Sequence, residues 1–197
     1  MEFKPITNKS HWNELMQQCI HHDLQQMWEY GESLHECYDW EVSRHELTIQ
    51  NETQAIFQTV SKDFPSIGKI ARIQNGPLFL IKHNPQNNYE IIKSIIGFLI
   101  GHHSSVYITP CLLPDELPNN WITNLKLKPS KEPIWRSIHI DLSKPEENLW
   151  RILRRTGWRE PIQKAQKEGL RCEWNNNIAH FNFLMEQYKQ KQTTLEF

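Results

Sequence analysis

From Tyr89 to Ile100 the apolar residues Ile91, Ile92, Ile95, Ile96, Leu99 and Ile100 recur at helical spacing, with Gly101 as a stop. A stripe this wide belongs to a helix that must cover a large apolar surface. The segments on either side, Ile67 to Gln74 and Val106-Tyr-Ile-Thr, read as strands. Strand, helix and strand in this order form a right-handed crossover onto one sheet. The chain is therefore α/β, and every other segment has to fit around that crossover.

Phe3 to Ile6 suits a short edge strand. Asn8 or Ser10 then caps a helix carrying Trp12, Leu15, Met16 and Cys19. Asp23 is placed to cap a second helix, in which Leu24, Met27, Trp28, Gly31 and Leu34 share a face. Glycine inside a helix costs about 1 kcal/mol relative to alanine, so Gly31 calls for close packing or a ligand's approach. Trp40 to Gln50 and Thr53 to Val60 alternate as two strands of an antiparallel hairpin around Asn51-Glu52. The apolar phase changes between Val42 and Leu47, which marks a bulge in this reading. Asn75-Gly76-Pro77 stops the third strand, and Leu78 to Ile81 continues beyond it. Prolines from Pro110 to Pro133, with one short helix near Trp121, make that region a boundary. The organisation expected is residues 1–134 as one domain and 135–197 as part of a second.

The second part is read as a strand from Arg136 to Leu142, a helix, a strand from Leu170 to Trp174 and a helix from Ile178 to Gln192. Ser143-x-x-Glu146 has the form of a capping box at the helix start. Leu149, Ile152 and Leu153 give that helix an apolar side, while Arg151, Arg154 and Arg155 project elsewhere. Seven cationic side chains lie between Arg151 and Arg171, opposed only by Glu160 and Glu168. Phe181, Leu184, Met185 and Tyr188 form an apolar side on the last helix. With so few residues left to close a core, that side is expected to drive self-association or to need a partner that completes the domain.

The net charge of the whole chain is −1, which argues against bulk polyanion binding and leaves the local basic segment as the chemical clue. No apolar run approaches the roughly 18 to 20 residues that span a bilayer. Met1-Glu2-Phe3-Lys4-Pro5 lacks the apolar core of a secretory signal, so a cytoplasmic location is expected. The four cysteines have no CxxC spacing, which favours free thiols. His21-His22 and His102-His103 lack ligand spacing, and no metal site is expected.

Three blocks narrow the class. Leu24-Gln-Gln-Met-Trp-Glu-Tyr-Gly-Glu32 resembles the Gln-Ser-x-x-Trp-Gly element of Fem-type aminoacyltransferases, a family of the GNAT acyltransferase superfamily. Ile70-Ala-Arg-Ile-Gln-Asn-Gly-Pro77 is similar to their strand ending in Arg-Gly-Pro. Trp158-Arg159-x-x-Ile162-Gln163-Lys164-Ala165-x-Lys167-x-Gly169-Leu170 is similar to their Arg-x-x-Ile-Arg-Lys-Ala-x-Lys-x-Gly element at equal spacing. The resemblance implies a GNAT-like mixed, largely antiparallel sheet flanked by helices, followed by the opening of a second GNAT-like domain. It also implies transfer of an amino acid from aminoacyl-tRNA to the amine of a peptidoglycan precursor. Two positions depart from the family. Leu34 stands where a phosphate-holding lysine is common, and Leu78-Phe79-Leu80 stands where an acid can follow Gly-Pro.

Aminoacyl transfer to an amine needs placement, a proton acceptor and donors for the oxyanion rather than a prosthetic group, so no cofactor is expected. His139 and Asp141, on one face of one predicted strand, are the candidate catalytic pair; a solvated strand face is the competing reading. Arg154, Arg155, Arg159, Lys164 and Lys167 are candidates to hold phosphates of tRNA or of a nucleotide-linked acceptor. Trp28, Tyr30 and Gly31 are candidates for an acceptor groove, and Asn75 and Gly76 for backbone contact with a ligand. Acetyl-CoA is the alternative donor. It would call for a Gly-rich loop between a strand and a helix, and Arg154-x-x-Gly157-x-Arg159 follows a helix instead. A non-catalytic binding module is the alternative outside enzymes.

Overall fold

The longest strand, β3 (Glu52–Phe64), is buried at eight consecutive positions, so both of its faces are covered. A strand with one solvated face would alternate instead. The computed structural model describes residues 1–130, 141–172 and 176–195. The chain divides into two compact units, residues 1–131 and 132–197.

In the first unit, β1 (Glu2–Pro5), β2 (Glu41–Ile49) and β3 pair antiparallel in succession. β4 (Gly68–Ile73) pairs antiparallel with the far end of β3, from Val60 to Phe64. β5 (Leu78–Phe79) pairs antiparallel with its near end, at Ala55 and Ile56. β6 (Ser105–Ile108) lies parallel to β4, and the connection between them carries α3 (Pro85–Ile100). The result is a mixed, largely antiparallel sheet flanked by helices. The expected crossover has its strands side by side, although the segment after Gly-Pro returns to β3 rather than extending β4.

Helices cover both faces. α1 (Lys9–Gln18) starts at Asn8, whose side chain accepts from the N–H groups of Ser10 and His11. It seats Trp12 and Leu15 against Ile56 and Leu78. On the other face Ile91, Ile92, Ile95, Ile96 and Leu99 of α3 pack on Leu47, Ala55, Phe57, Ile73 and Phe79. Neighbouring residues of β3 and β5 therefore enter opposite cores, as the period of two requires.

Asp23 caps a single 3-10 turn, Leu24–Gln26, and not a long helix. The chain is extended at Met27, and α2 (Trp28–Tyr38) begins after it. The register shift in the hairpin falls between Leu47 and Thr48, later than the phase change in the sequence. Between Val42 and Leu47 pairing is continuous; the phase changes because Arg44, on the Val42 face, is itself buried. α4 (Trp121–Asn124) is the short helix expected near Trp121.

The second unit contains α5 (Glu146–Thr156), α6 (Arg159–Lys167) and α7 (Ile178–Leu195). The capping box at Ser143 does not form. The Ser143 hydroxyl donates to Asp141 Oδ1 at 2.6 Å and its N–H donates to the same oxygen at 3.0 Å. Pro145 takes the N-cap position and α5 starts at Glu146. An aspartate two residues upstream competes for the serine, and the fixed proline φ defines the start. Leu142 is in a turn rather than a strand, and Leu170 to Cys172 are irregular. The remainder of both expected strands, 136–140 and 173–174, lies outside the described residues. α7 exposes Phe181, Leu184 and Tyr188, with Met185 less so.

Candidate functional site

Between the stretches paired by β4 and β5, β3 has residues that neither strand reaches. The side chain of Gln26 fills that place. Its Oε1 accepts from the Gln58 N–H at 2.7 Å, and its Nε2 donates to the Gln58 carbonyl at 3.4 Å and the Gln74 carbonyl at 2.7 Å. A side-chain amide thus stands in for the missing peptide group of a strand. This satisfies backbone groups that would otherwise be buried without partners. Gln26 has no exposed surface, and its own carbonyl accepts from the Trp12 indole at 3.1 Å.

The network continues through Gln58. Its Nε2 donates to the carbonyls of Gln25 and Met27, and its Oε1 accepts from Arg44 Nε at 2.7 Å. Arg44 Nη2 donates to the Trp28 carbonyl and to Glu32 Oε1, both at 2.9 Å. The guanidinium carbon lies 3.6 Å from the centre of the Trp28 ring. Burial pushes the Arg44 pKa down, and Glu32 partly offsets that. A buried cation persists when its donors find partners and its charge is paired; here Nε and Nη2 are hydrogen-bonded and Glu32 pairs the charge.

Two glycines allow this packing. A Cβ on Gly31 would stand 2.4 Å from Gln58 Oε1 and 2.6 Å from Arg44 Nη2, and one on Gly76 would stand 2.8 Å from the Gln26 amide. The close packing proposed for Gly31 is therefore internal. Trp28 covers a buried cation with its ring. Tyr30 is half-buried. Asn75, at φ 48°, donates from Nδ2 to Asp23 Oδ2 at 3.0 Å. The structure brings Trp28, Gly31, Asn75 and Gly76 together through Gln26, Arg44 and Gln58, three residues not singled out in the sequence. Gln26 lay inside the first motif block, and Arg44 announced itself only as the break in the β2 alternation.

Beyond Asn75 the paired strands part. The Gly76 N–H still donates to Thr109 at 3.0 Å, while the Phe79 carbonyl accepts from the Ile20 N–H at 2.8 Å. Cys19 and Leu78 are buried there and Cys111 packs against them. Burial pushes the Cys19 thiol up to about 12 and Cys111 up to about 11, so neither is a ready nucleophile. The loop from β5 to α3 contains no glycine. Asn84 Oδ1 accepts from the Asn87 N–H at 2.9 Å, and Pro85 removes a further donor from the start of α3. Backbone donors that a pyrophosphate would use are reduced accordingly.

In the second unit, Arg159, Lys164 and Lys167 lie on α6. Lys164 Nζ is 3.9 Å from Glu168. Arg154 and Arg155 belong to the backbone of α5, and their side chains lie outside the described residues, as does His139. Asp141 is exposed and is not on a strand. Its hydrogen bonds from Ser143 hold the carboxyl below the usual carboxylate range, which weakens it as a base. An open cleft of about 450 Å³ between α5 and α6 is lined by Glu147, Trp150, Arg151, Arg159, Gln163 and Gln166. Of these only Arg159 was singled out as a binding residue in the sequence. Among the described residues no group of His, Cys, Asp and Glu has the arrangement of a metal site.

No protein-family model matches the chain, and no curated protein matches it. Among solved structures it is similar to FemX at 19% identity and TM-score 0.41, over 51% of this chain and 24% of FemX. The chain thus spans about a quarter of the FemX chain. It is also similar to the aminoglycoside antibiotic 6'-N-acetyltransferase AAC(6')-IG from Acinetobacter haemolyticus, at 12% identity and TM-score 0.40, over 72% of this chain and 100% of that one. A third similar structure is the ribosomal-protein-alanine N-acetyltransferase from Brucella melitensis biovar Abortus, at 9% identity and TM-score 0.40, over 72% and 98% of the two chains. No helix among the described residues is long and apolar enough to cross a membrane.

Proposed function

We propose that the chain is an acyltransferase of the GNAT type, and that it takes part in moving an aminoacyl group from aminoacyl-tRNA to an amine acceptor such as a cell-wall precursor. The supporting observation is the interlock of the first two motif blocks. Gln26 of one block hydrogen-bonds the Gln74 carbonyl of the other, Asp23 at its edge bonds Asn75, and Gly76 packs on the Gln26 amide. Two sequence blocks that resemble one family by residue type thus meet as one structural unit, which chance resemblance would not require. The donor reading leans towards aminoacyl-tRNA over acetyl-CoA because the start of α3 is closed by Asn84 and Pro85, a poor cradle for a pyrophosphate.

The test is transfer of a labelled amino acid from charged tRNA to an amine-bearing peptidoglycan precursor, with acetyl-CoA as competing donor. Label on the acceptor supports the reading. Acetylation of the acceptor in its place would move the chain to acetyl-CoA chemistry, and neither product would reject transferase activity for this chain. A non-catalytic module that works with a second copy or a partner is the other reading, favoured by the exposed apolar residues of α7. It expects tRNA retention without transfer, and concentration-dependent association that a lysine at Leu184 weakens.

A further inference from the structure

The sheet ends at β1 on one side and at β6 on the other. An edge strand offers its unpaired N–H and C=O groups to any second strand, and edges that stay free carry charges or proline. β1 does so, with Glu2, Lys4 and Pro5 in its four residues. β6 reads Ser105-Val106-Tyr107-Ile108, with no charge, no proline and an unbroken register against β4. The Ser104 N–H donates to the Lys69 carbonyl at 2.8 Å. Main-chain groups alternate in direction along a paired strand, so those of Ser105 and Tyr107 point away from β4. Among the described residues no strand pairs with them.

The side chains beside that edge are also unmatched. Ile73, Val106 and Ile108 pack towards α3, which puts Arg72, Ser105 and Tyr107 on the opposite face. Arg72 lies between Val60 and Tyr107 in one cross-strand row, and Ile70 lies between Lys62 and Ser105 in the next. Arg72 is half-buried and Tyr107 is 56% exposed. The Lys62 ammonium donates to the Tyr38 carbonyl at 2.7 Å, and among the described residues Arg72 has no hydrogen-bond or ion-pair partner. Two cations thus share this face and neither meets a carboxylate.

We propose that β6 takes up an extended segment of an acidic protein partner as an added strand, with a carboxylate in the row of Tyr107 and Arg72. So short an edge gives few main-chain bonds, and a side-chain anchor has to add affinity and select the partner. A residue opposite Tyr107 on the added strand is two strand spacings from Arg72, about 10 Å between backbones. A glutamate and an arginine reaching towards each other past Tyr107 close that gap, and the guanidinium fork holds both carboxylate oxygens. A basic segment would meet Arg72 and Lys62 with like charge. A second copy of this chain would bring another uncharged β6 and leave Arg72 unpaired. The proposal involves no acyl group and stands whether or not the chain is a transferase.

Amide chemical shifts of the full, isotope-labelled chain at low salt test this, with the capped peptide acetyl-VTETV-amide and its glutamine and lysine counterparts as probes. Expected is saturable movement of the Ser105 and Tyr107 amides, with a Kd below about 1 mM for the glutamate peptide. The glutamine peptide should bind about fivefold more weakly, and the lysine peptide more weakly still. Arg72→Gln should bind the glutamate and glutamine peptides alike. Ser105→Pro removes one outward N–H and leaves Arg72 in place, and should weaken all binding about tenfold. Equal affinity of the unaltered chain for the glutamate and glutamine peptides overturns the proposal. So does binding that Ser105→Pro leaves unchanged, or no movement of these amides at about 1 mM peptide. Shifts of the same amides that grow with protein concentration in the absence of peptide would assign the edge to a second copy, which also overturns it. If Ser105→Pro disturbs the α3 amides, the peptide series and Arg72→Gln, a change at a half-buried position, decide alone.

Discussion

Alanine at Gly31 and alanine at Gly97 should move stability in opposite directions, although both glycines lie inside helices. Helix propensity alone favours alanine over glycine by about 1 kcal/mol. A Cβ on Gly97 meets nothing within 4 Å, so Gly97→Ala should stabilise the first unit by roughly 0.5 to 1 kcal/mol. At Gly31 the same methyl arrives 2.4 Å from Gln58 Oε1, whereas ordinary contact begins near 3.4 Å. Gln58 and Arg44 must retreat by about 1 Å, and both are pinned. Losing the Arg44 to Gln58 bond of 2.7 Å costs roughly 1.5 to 3 kcal/mol, as for other hydrogen bonds to charged groups. Subtracting the propensity gain leaves Gly31→Ala destabilising by roughly 0.5 to 2 kcal/mol. Urea unfolding followed by near-ultraviolet circular dichroism gives both values. In a Gln58→Ala background the Gly31→Ala penalty should fall, because the nearest obstacle is gone. If Gly31→Ala stabilised as Gly97→Ala does, the buried network would not be packed against α2 as described.

Other outcomes follow from the same physics. Gln26→Leu keeps the volume but leaves the Gln58 N–H and the Gln74 carbonyl without partners, and should cost roughly 2 to 4 kcal/mol in the same unfolding assay. His45 stacks on Phe57 and meets Phe98 edge-on, and burial lowers its pKa from 6.5. The unfolded chain therefore binds the proton more readily than the folded one, and stability falls as pH drops below about 6.5 towards the folded value. Measured at pH 7.5 and pH 5, wild type should lose more stability than His45→Phe; an equal loss would place the acid sensitivity elsewhere. Under native conditions a maleimide should modify the exposed Cys37 and Cys172 and spare buried Cys19 until urea unfolds the first unit, since a thiol pushed up to about 12 holds almost no thiolate.

What could be read from the sequence was whatever periodicity or a local cap determines. α3 was legible because Ile91, Ile92, Ile95, Ile96 and Leu99 repeat on one face, although Ile100, read into the same stripe, is exposed at the helix end, and the hairpin because its strands alternate. Asn8 was legible as a cap because its side chain reaches N–H groups two and three residues away. The break at Met27 was not. Asp23 can cap an α-helix or a 3-10 turn, and what ends the turn is Gln26 being drawn into β3, a contact 32 residues distant. The burial of Arg44 was not legible, because a charged residue normally marks a solvated face, and the phase change it causes read as a bulge. At Ser143 the motif was present and the geometry was not: Asp141 offered a nearer acceptor, and Pro145 fixed the start of the helix.

The positions that made the family resemblance visible are mostly those that hold the fold. Gly31 and Gly76 are required by contacts with Gln58, Arg44 and Gln26, and Trp28 shields the buried cation. Substituting them would disturb the packing of the fold, so a change in activity would say little about chemistry. A transferase assay should instead perturb polar groups that the network leaves partly exposed. Asp23 and Asn75 face each other where the strands part, and Glu32 is 44% exposed at its side chain while still holding Arg44. Asp23→Asn keeps the shape and removes one charge without touching a fully buried atom. A loss of turnover with unchanged unfolding would place that carboxylate at the acceptor amine, where a proton has to be taken. Unchanged turnover would leave Asp23 as the cap of its own turn, and would move the search for the base away from this junction.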